Sequence, residues 1–317
     1  MKVTKLAVAA AGLSVMAGGA VAQDWPDRAV TMIVPYNPGG TTDILARLAA
    51  EAIAESIGQP VVVENKPGAG GVVGATLASG ADNDGYTIFF GNNATNVVQP
   101  LINPAVTFDA IDSFDAVATT ADAAVFVGVG SETGVTDLDG LVAYLGENSA
   151  KYGTAGVGSM GQFSATYFLQ ETGVEATHIP YPGSNDAVTA ILSGEIEFMV
   201  DPAVTSQIDN PDMNVLAVMS EERHPAYADV PTASEQGYDL SLTGWFGVFA
   251  PEGTDPEIIA AMSAPLEEMV ASDSYQEQVL TMGLLPAYRD AATADAVVES
   301  DTEVFTQIRD TAGISIN

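Results

Sequence analysis

Short apolar runs alternate with stretches of helical periodicity along the first third of the chain. Three of these runs have the length and composition of buried strands: "AVTMIVPY", "PVVVEN" and "YTIFFGN". A glycine-rich turn follows each of the first two and leads into a helical segment, and Gly58 is placed to end the first of those helices. Strands that alternate with helices predict parallel pairing, with helices packed on the faces of the sheet.

The middle of the chain repeats this order. The predicted strands are "AAVFVGVG", "KYGTAG", "ATHIPY", "IEFMVD" and "MNVLAVMS". Helices are predicted in "TDLDGLVAYLGEN", where Thr136 can act as the cap, after "TAGVGSMG", and in "GSNDAVTAILSGE". Further helices are predicted near 255–271, 273–282 and 292–312, with the segment "LLPAYRD" before the last one.

The unit of strand, glycine turn and helix occurs in both halves of the chain, which predicts two α/β lobes. Two extended stretches, "FDAVATTADAAVFV" and "LTGWFGVFAP", are suited to pass between the lobes. We therefore expect lobe 1 to comprise residues 23–121 and 247–317, and lobe 2 residues 122–246. In this interpretation, the last helices return to the first lobe.

The first 22 residues differ from the rest. Lys2 and Lys5 precede an uncharged, alanine-rich run that ends in Ala20-Val21-Ala22, a pattern typical of a secretory signal peptide cleaved after residue 22. The run is short for a membrane anchor, and no basic cluster follows it. The chain has no cysteine and hence no thiol for a lipid anchor. We expect a mature protein that begins at Gln23 and is freely soluble outside the cytoplasm.

The charge of the chain is strongly acidic, with 42 acidic and 9 basic residues and a net charge of −33. Without Lys2 and Lys5, seven basic residues remain and the net charge becomes −35. Such a chain repels nucleic acid and anionic membrane surfaces, so neither is an expected partner. For an anionic ligand, the attraction must come from local hydrogen-bond donors.

A G-x-G-x-x-G spacing, formed by Gly156, Gly158 and Gly161, lies between a predicted strand and a predicted helix. This context is the one required of a dinucleotide site. Against that interpretation, the motif is not in the first strand–helix unit, and no acidic residue follows at the distance expected for a ribose contact.

A serine hydrolase is the second alternative, because "VGSMG" resembles a nucleophile elbow around Ser159, with Asp201 and His224 following in a suitable order. Val157 replaces the first glycine of that motif. His224 lies in a polar segment, where simple exposure is expected, and His178 is expected to be a hydrogen-bonded residue inside a lobe. No spacing typical of metal ligands is found, so neither a metal nor another cofactor is expected.

The third interpretation uses the physics that the first two share. A helix start offers unpaired N–H groups and a positive dipole end, and glycine lets a backbone approach an anion closely. "PGGTTD" and "TAGVGSMG" are two such turns, one in each half. If the lobes face each other, backbone donors near Gly40 and Gly158 can each bind one carboxylate of a dicarboxylate. The five arginines, all in polar or helix-surface contexts, are not needed.

The chain also resembles the receptors of tripartite tricarboxylate transporters, the Bug-type solute-binding proteins. The similarity extends over almost all of the expected mature chain, and "VVVENKPGAGG" and "DVPTASEQG" are its most specific segments. It implies a two-lobe periplasmic-binding-protein fold of the type II-like class. Each lobe would contain a mixed, mostly parallel sheet flanked by helices, and the ligand cleft would lie between the lobes. It further implies a monomer without enzymatic activity that delivers a small carboxylate to an integral-membrane permease. A sensor that presents its ligand to a signalling protein has the same pocket and stays an alternative.

The same resemblance implies the ligand-binding residues, position by position. They lie in the first turn, after the third strand, in the second turn and at the end of a later strand: Tyr36, Asn37, Gly39, Gly40, Thr41 and Thr42; Asn92, Asn93 and Thr95 in a polar loop; Ala155, Gly156, Gly158, Ser159 and Met160; and Asp201. Thr41, Asn37 and Pro182 depart from the family's usual residues. The ligand specificity of a relative therefore cannot be transferred directly.

Overall fold

The structure is a computed structural model, and it describes residues 25–315. The expected signal peptide and its cleavage site lie outside the described residues. Within the described residues, none of the helices combines the length and the apolar character needed to cross a membrane.

In the described part of the chain, six strands form the first sheet: β1 (Val30–Val34), β2 (Val61–Asn65), β3 (Thr87–Asn92), β4 (Phe114–Ala123), β10 (Gly244–Pro251) and β11 (Leu285–Asp290). Their order is β11-β4-β10-β3-β1-β2. β1 pairs in parallel with both β2 and β3, as expected for two strand–turn–helix units. β10 runs antiparallel between β3 and β4, and β11 completes the edge beside β4.

Five strands between residues 126 and 218 form the second sheet: β5 (Phe126–Gly130), β6 (Lys151–Thr154), β7 (Thr177–Pro180), β8 (Phe198–Asp201) and β9 (Met213–Val218). Their order is β7-β6-β8-β5-β9. The parallel pairs β6–β7 and β6–β8 are balanced by the antiparallel pairs β5–β8 and β5–β9. Two mixed sheets flanked by helices are thus confirmed, but the expectation of mostly parallel pairing is wrong. The strands at which the chain enters each sheet, β5 and β10, run antiparallel to both of their neighbours. The hydrophobic pattern of a strand does not indicate its direction.

The α-helices within residues 25–315 are α1 (Thr41–Ile57), α2 (Val72–Ser79), α3 (Gln99–Ile102), α4 (Leu138–Glu147), α5 (Met160–Thr172), α6 (Ser184–Leu192), α7 (Pro256–Ala271), α8 (Asp273–Thr281) and α9 (Ala291–Ala312). Local chemistry sets several of their ends. Gly58 ends α1 with a φ of 71°, and the Ser159 side chain caps α5. The predicted cap of α4, Thr136, is wrong: Asp137 lies at the N-cap and accepts a hydrogen bond from the Gly140 N–H at 2.7 Å.

The two sheets are joined through buried apolar contacts as well as through the chain. α9 packs on β4 of the first sheet and also against α5, which packs on β8 of the second sheet. The rings of Phe163 in α5 and Phe305 in α9 meet edge to face, with centroids 5.1 Å apart, and both side chains are fully buried. One continuous apolar cluster therefore extends from the first sheet to the second.

The expected lobe boundaries stay a prediction. β4 continues to Ala123, past the boundary at 121/122, and β10 begins at Gly244, before the boundary at 246/247.

Candidate functional site

The first glycine turn connects β1 to α1 and is open to solvent. Asn37, Gly39, Gly40 and Thr41 are exposed, while Thr42 is buried. Gly39 has a φ of 84°, a conformation that favours glycine. The N-cap residue Gly40 has no side chain with which to cap α1, so the first N–H groups of this helix point into an uncapped turn.

The buried carboxylate of Asp43 holds this turn in place. Asp43 accepts hydrogen bonds from the Gly39 N–H at 2.8 Å, the Asn65 amide at 2.8 Å, and two guanidinium nitrogens of Arg47 at 2.9 and 3.0 Å. The hydrogen bonds from Arg47 contribute most to lowering the pKa of Asp43 to about 2. Arg47 neutralises this charge, so the acid does not cancel the positive end of the helix.

Asn92 and Thr95 lie beside Tyr36 of the first turn, and neither they nor Asn93 lie in the polar loop that was expected. Asn92 is the last residue of β3, and Ala94–Val98 forms a helical turn that continues into α3. The Tyr36 hydroxyl lies 2.6 Å from the Thr95 hydroxyl and donates to Asn92 Oδ1 at 3.5 Å, and the Thr95 N–H donates to Asn92 Oδ1 at 2.9 Å. Burial, partly offset by these bonds, raises the pKa of Tyr36, so its hydroxyl stays neutral.

The second glycine turn connects β6 to α5. Gly156 and Gly158 have φ values of 105° and 79°, and Ala155, Gly156, Ser159 and Met160 are partly exposed. The Gly158 N–H donates to Gln162 Oε1 at 2.7 Å, and the Gly156 N–H donates to the Thr154 hydroxyl at 3.2 Å. Both donors are therefore used to hold the turn in place.

His178 supports this turn from the neighbouring strand β7. Its Nε2 lies 2.7 Å from the Thr154 hydroxyl and its Nδ1 lies 3.3 Å from the Gln162 amide nitrogen, while its ring stacks on Tyr152 at 5.1 Å. Burial lowers the pKa of His178, which favours the neutral ring. The expectation of a hydrogen-bonded lobe histidine is confirmed, although the side chain is only half-buried.

Asp201 lies between the starts of two helices. Its carboxylate accepts from the Ala203 N–H at 2.9 Å and from the Ser184 hydroxyl, in the first turn of α6, at 3.1 Å. A Cβ at Gly161, in the first turn of α5, would lie 2.5 Å from Asp201 Oδ2, so the missing side chain of Gly161 makes room for this acid. Burial raises the pKa of Asp201.

Residues Asn93 and Met160 connect the two groups of site residues. The Asn93 amide donates to Met160 Sδ at 3.7 Å, from the first sheet to the start of α5. A Cβ at Gly244, the first residue of β10, would lie 3.3 Å from Asn93 Oδ1 and 3.4 Å from the Met160 methyl group. These three residues meet where the chain returns to the first sheet.

The sequence suggested backbone donors near Gly40 and Gly158. The Gly158 N–H already has a protein acceptor, as has the neighbouring Gly39 N–H of the first turn. Within residues 25–315, no protein acceptor is bonded to the N–H of Gly40, Thr41 or Thr42 at the start of α1, nor to that of Met160 or Gly161 at the start of α5. These helix-start groups are therefore the donors that an anion could reach.

The serine hydrolase arrangement is not assembled. Ser159 Oγ accepts from the Gln162 N–H at 3.3 Å, and Asp201 bonds only Ala203 and Ser184 among the described residues. His224 was expected to be exposed, which is wrong: it is fully buried between Phe126 and Tyr227, with ring centroids at 5.9 and 4.8 Å. The ring of Phe126, from a distant strand, and that of Tyr227, three positions away, cover it, and the polar residues just before it in the chain carry no sign of this burial.

Sequence reasoning assigned no supporting role to three residues: Asp43, Gln162 and Ser184. A signal existed for each of them. Asp43 and Gln162 lie in the first turn of a helix that follows a glycine turn, where a polar side chain can reach back to a loop N–H. Ser184 follows "YPG", which resembles the "YNPG" of the first turn and marks a third helix start.

Two mixed α/β sheets, joined by crossing strands and each carrying a glycine-rich helix start, are the architecture of a periplasmic solute-binding receptor. The family model described as "Tripartite tricarboxylate transporter family receptor" matches residues 45–312, and the chain belongs to this family.

Relatives and solved structures agree with this assignment. The chain is 31% identical to protein BugT of Bordetella pertussis over 296 residues, which is 90% of each chain. The structure of R. palustris Rpa4515 with adipate matches with a TM-score of 0.75 and 30% identity, over 92% of this chain and 99% of that one. MatC (Rpa3494) from Rhodopseudomonas palustris, with bound malate, matches with a TM-score of 0.71 and 27% identity, over 90% and 99%.

Proposed function

We propose that this protein is a non-catalytic receptor of the periplasm that binds a small dicarboxylate between its two lobes. It would then deliver this ligand to the integral-membrane permease of a tripartite tricarboxylate transporter. The observation that carries the proposal is the pair of glycine-rich helix starts, α1 on one sheet and α5 on the other, whose first backbone N–H groups have no acceptor among the described residues. Each offers backbone N–H groups and a positive dipole end, which suit one carboxylate each.

The charges of the chain support recognition by neutral donors. Each of the five arginines already pairs with a carboxylate of the protein: Arg28 with Asp84, Arg47 with Asp43, Arg223 with Glu235, Arg289 with Asp122, and Arg309 with Asp310. A ligand anion would thus be bound by N–H groups and by exposed polar side chains such as Asn37 and Thr41. The relatives solved with adipate and malate supply two dicarboxylates as first probes.

A thermal-shift screen of the mature chain tests the proposal. We expect adipate, malate or another dicarboxylate to raise the melting temperature without being converted. At about 100 times its Kd, the ligand should add about 2.7 kcal/mol to the free energy of unfolding. A panel of organic acids without effect, combined with a shift caused by nucleotides, would contradict the proposal. Turnover of an ester panel that is lost in Ser159→Ala would favour the hydrolase instead.

Gly40→Val then tests whether the first turn contributes to ligand binding. Gly40 has a φ of −81°, and an added Cβ would meet only the Asn37 carbonyl oxygen, at 3.7 Å, so the fold can accept a side chain here. We expect the melting temperature of the ligand-free protein to hold and affinity to fall at least about tenfold, because the side chain covers the donors of α1. Unchanged affinity would eliminate the first turn as a ligand contact. At Gly158 the φ of 79° disfavours a residue with a side chain. Gly158→Val would therefore test folding rather than binding.

A further inference from the structure

Two segments pass between the sheets in the described part of the chain. One runs from the end of β4 into β5, and the other enters β10 at Gly244. Asp122 and Trp245 are register partners in the β4–β10 ladder, next to both crossings. Any rotation of one sheet against the other must change the backbone close to these two residues.

The side chains of both partners are held by charged groups from other elements. Arg289 of β11 forms a two-pronged ion pair with Asp122, at 2.6 and 2.7 Å, and also donates to the Thr119 hydroxyl at 3.2 Å. The Trp245 indole N–H donates to Asp301 Oδ2 of α9 at 2.7 Å. Trp245 is nearly inaccessible, with 2% exposure, so the carboxylate of Asp301 is bonded at a buried point.

Helix α9 connects this cluster to the second sheet. Phe305, one helical turn after Asp301, packs against Phe163 of α5. Near the end of α9, the Ile308 carbonyl accepts from the Gln170 amide of α5 at 3.5 Å. Asp301, a residue of α9, therefore links the crossing strand to a helix that contacts both sheets.

The charges around Asp301 do not balance. Within residues 25–315, the charges that act on it are Arg289 of β11 and Asp122 of β4, and Glu221 also faces Arg289. Helix α5 presents the ring of Phe163 on this side and no charge that acts on Asp301. One guanidinium, already paired with Asp122, thus faces a second carboxylate, that of the partly buried Asp301. Burial, partly offset by the Trp245 bond and Arg289, raises the pKa of Asp301 to about 7, and Asp122 contributes to the rise.

We propose that Asp301, together with Trp245, Arg289 and Asp122, forms a proton-sensitive hinge between the two lobes. With a proton on Asp301, the cluster is stable at its largely enclosed position and the crossing strand is held against α9. When the proton is lost, the carboxylate, which has given up much of its solvent, favours states in which more water reaches the cluster, and the hinge opens more readily. Lobe motion then depends on pH near neutrality, whatever ligand the cleft binds.

Tryptophan fluorescence tests the titration directly, because Trp25 and Trp245 are the chain's two tryptophans. In Trp25→Phe, the emission of Trp245 should change with a midpoint near pH 7. Adding Asp301→Asn, which keeps an oxygen acceptor for the indole, should remove this transition. Asp122→Asn should lower the midpoint, since Arg289 becomes free to pair with Asp301. The matched control is Asp295→Asn, on the same helix but bonded to the Ala116 N–H, and it should leave the midpoint in place.

Hydrogen exchange of residues 244–247 tests the opening itself. After correction for the intrinsic pH dependence of exchange, opening should be up to about tenfold more frequent at pH 8 than at pH 6. In Asp301→Asn, it should be slow at both pH values. A Trp245 midpoint that survives Asp301→Asn would overturn the proposal. Equal opening of the parent protein at pH 6 and pH 8 would also overturn it. Both measurements need no ligand, so they are independent of the proposed transport function.

Discussion

Replacing Asp43 by asparagine tests how the first turn is held. This change keeps the shape of the side chain but removes the charge that bonds Gly39, Asn65 and Arg47. The pKa of Asp43 falls from 3.8 to about 2, and each pKa unit corresponds to about 1.4 kcal/mol, so the ionised form is favoured by about 2 kcal/mol. Arg47 is about half exposed, with 52% of its side chain accessible, and solvent screening reduces that figure. We expect Asp43→Asn to lower the free energy of unfolding at pH 7 by about 1–2 kcal/mol.

The pH dependence of this effect has a definite sign. A carboxylate with a lowered pKa in the folded state contributes stability above its unfolded pKa and loses it as the pH falls through the folded value. The difference between the parent protein and Asp43→Asn should therefore be constant near neutrality and disappear between about pH 4 and pH 2. Urea unfolding followed by circular dichroism at several pH values measures it.

The matched control is Asp84→Asn. Asp84 pairs with Arg28 at 3.3 Å, but both side chains are well exposed, at 46% and 61%. Removing this surface pair should leave the unfolding midpoint unchanged. Equal losses in the two variants, or no loss in Asp43→Asn, would refute the reasoning that the buried acid holds the turn. Ligand affinity should fall only in Asp43→Asn, because only that variant loosens the donors of α1.

Three further outcomes are expected. Gly247→Ala should destabilise the protein by at least about 2 kcal/mol, because a Cβ at this position would lie 2.6 Å from the Ala118 carbonyl oxygen. Gly146→Ala, in α4 with open space around it, should be neutral or stabilising. The reverse ranking of the two variants in urea unfolding would contradict both expectations. Sodium chloride should raise the unfolding midpoint between low and moderate concentration, since it screens the repulsion of a net charge of −33; a flat response would count against this repulsion. Because the pKa of Asp301 is raised to about 7, its proton contributes stability that is fully present below about pH 4 and is lost as the pH rises through about 7. Asp301→Asn should therefore flatten the dependence of the free energy of unfolding on pH over this range. An unchanged slope would argue against a proton on Asp301 in the folded state.

Much of the fold was predictable from the sequence because its rules are local. A helix such as α1 shows its period of 3.6 in Leu45, Ala49 and Ile53, and Gly58 ends it through a positive φ that glycine adopts easily. The two helix starts that the candidate site uses follow glycine turns of the same kind. These features depend on residues a few positions apart, so they can be identified before any tertiary contact is known.

The tertiary structure alone decided which groups are available and which are already bonded. Tyr36 and Thr95 are 59 positions apart, and Trp245 and Asp301 are 56 apart, yet each pair shares a hydrogen bond. The burial of His224, the antiparallel entry of β10 and the raised pKa of Asp301 depend on the same kind of long-range packing. Hydrophobic periodicity determines which face of an element is buried. Which distant polar group meets it there is determined only when the elements pack.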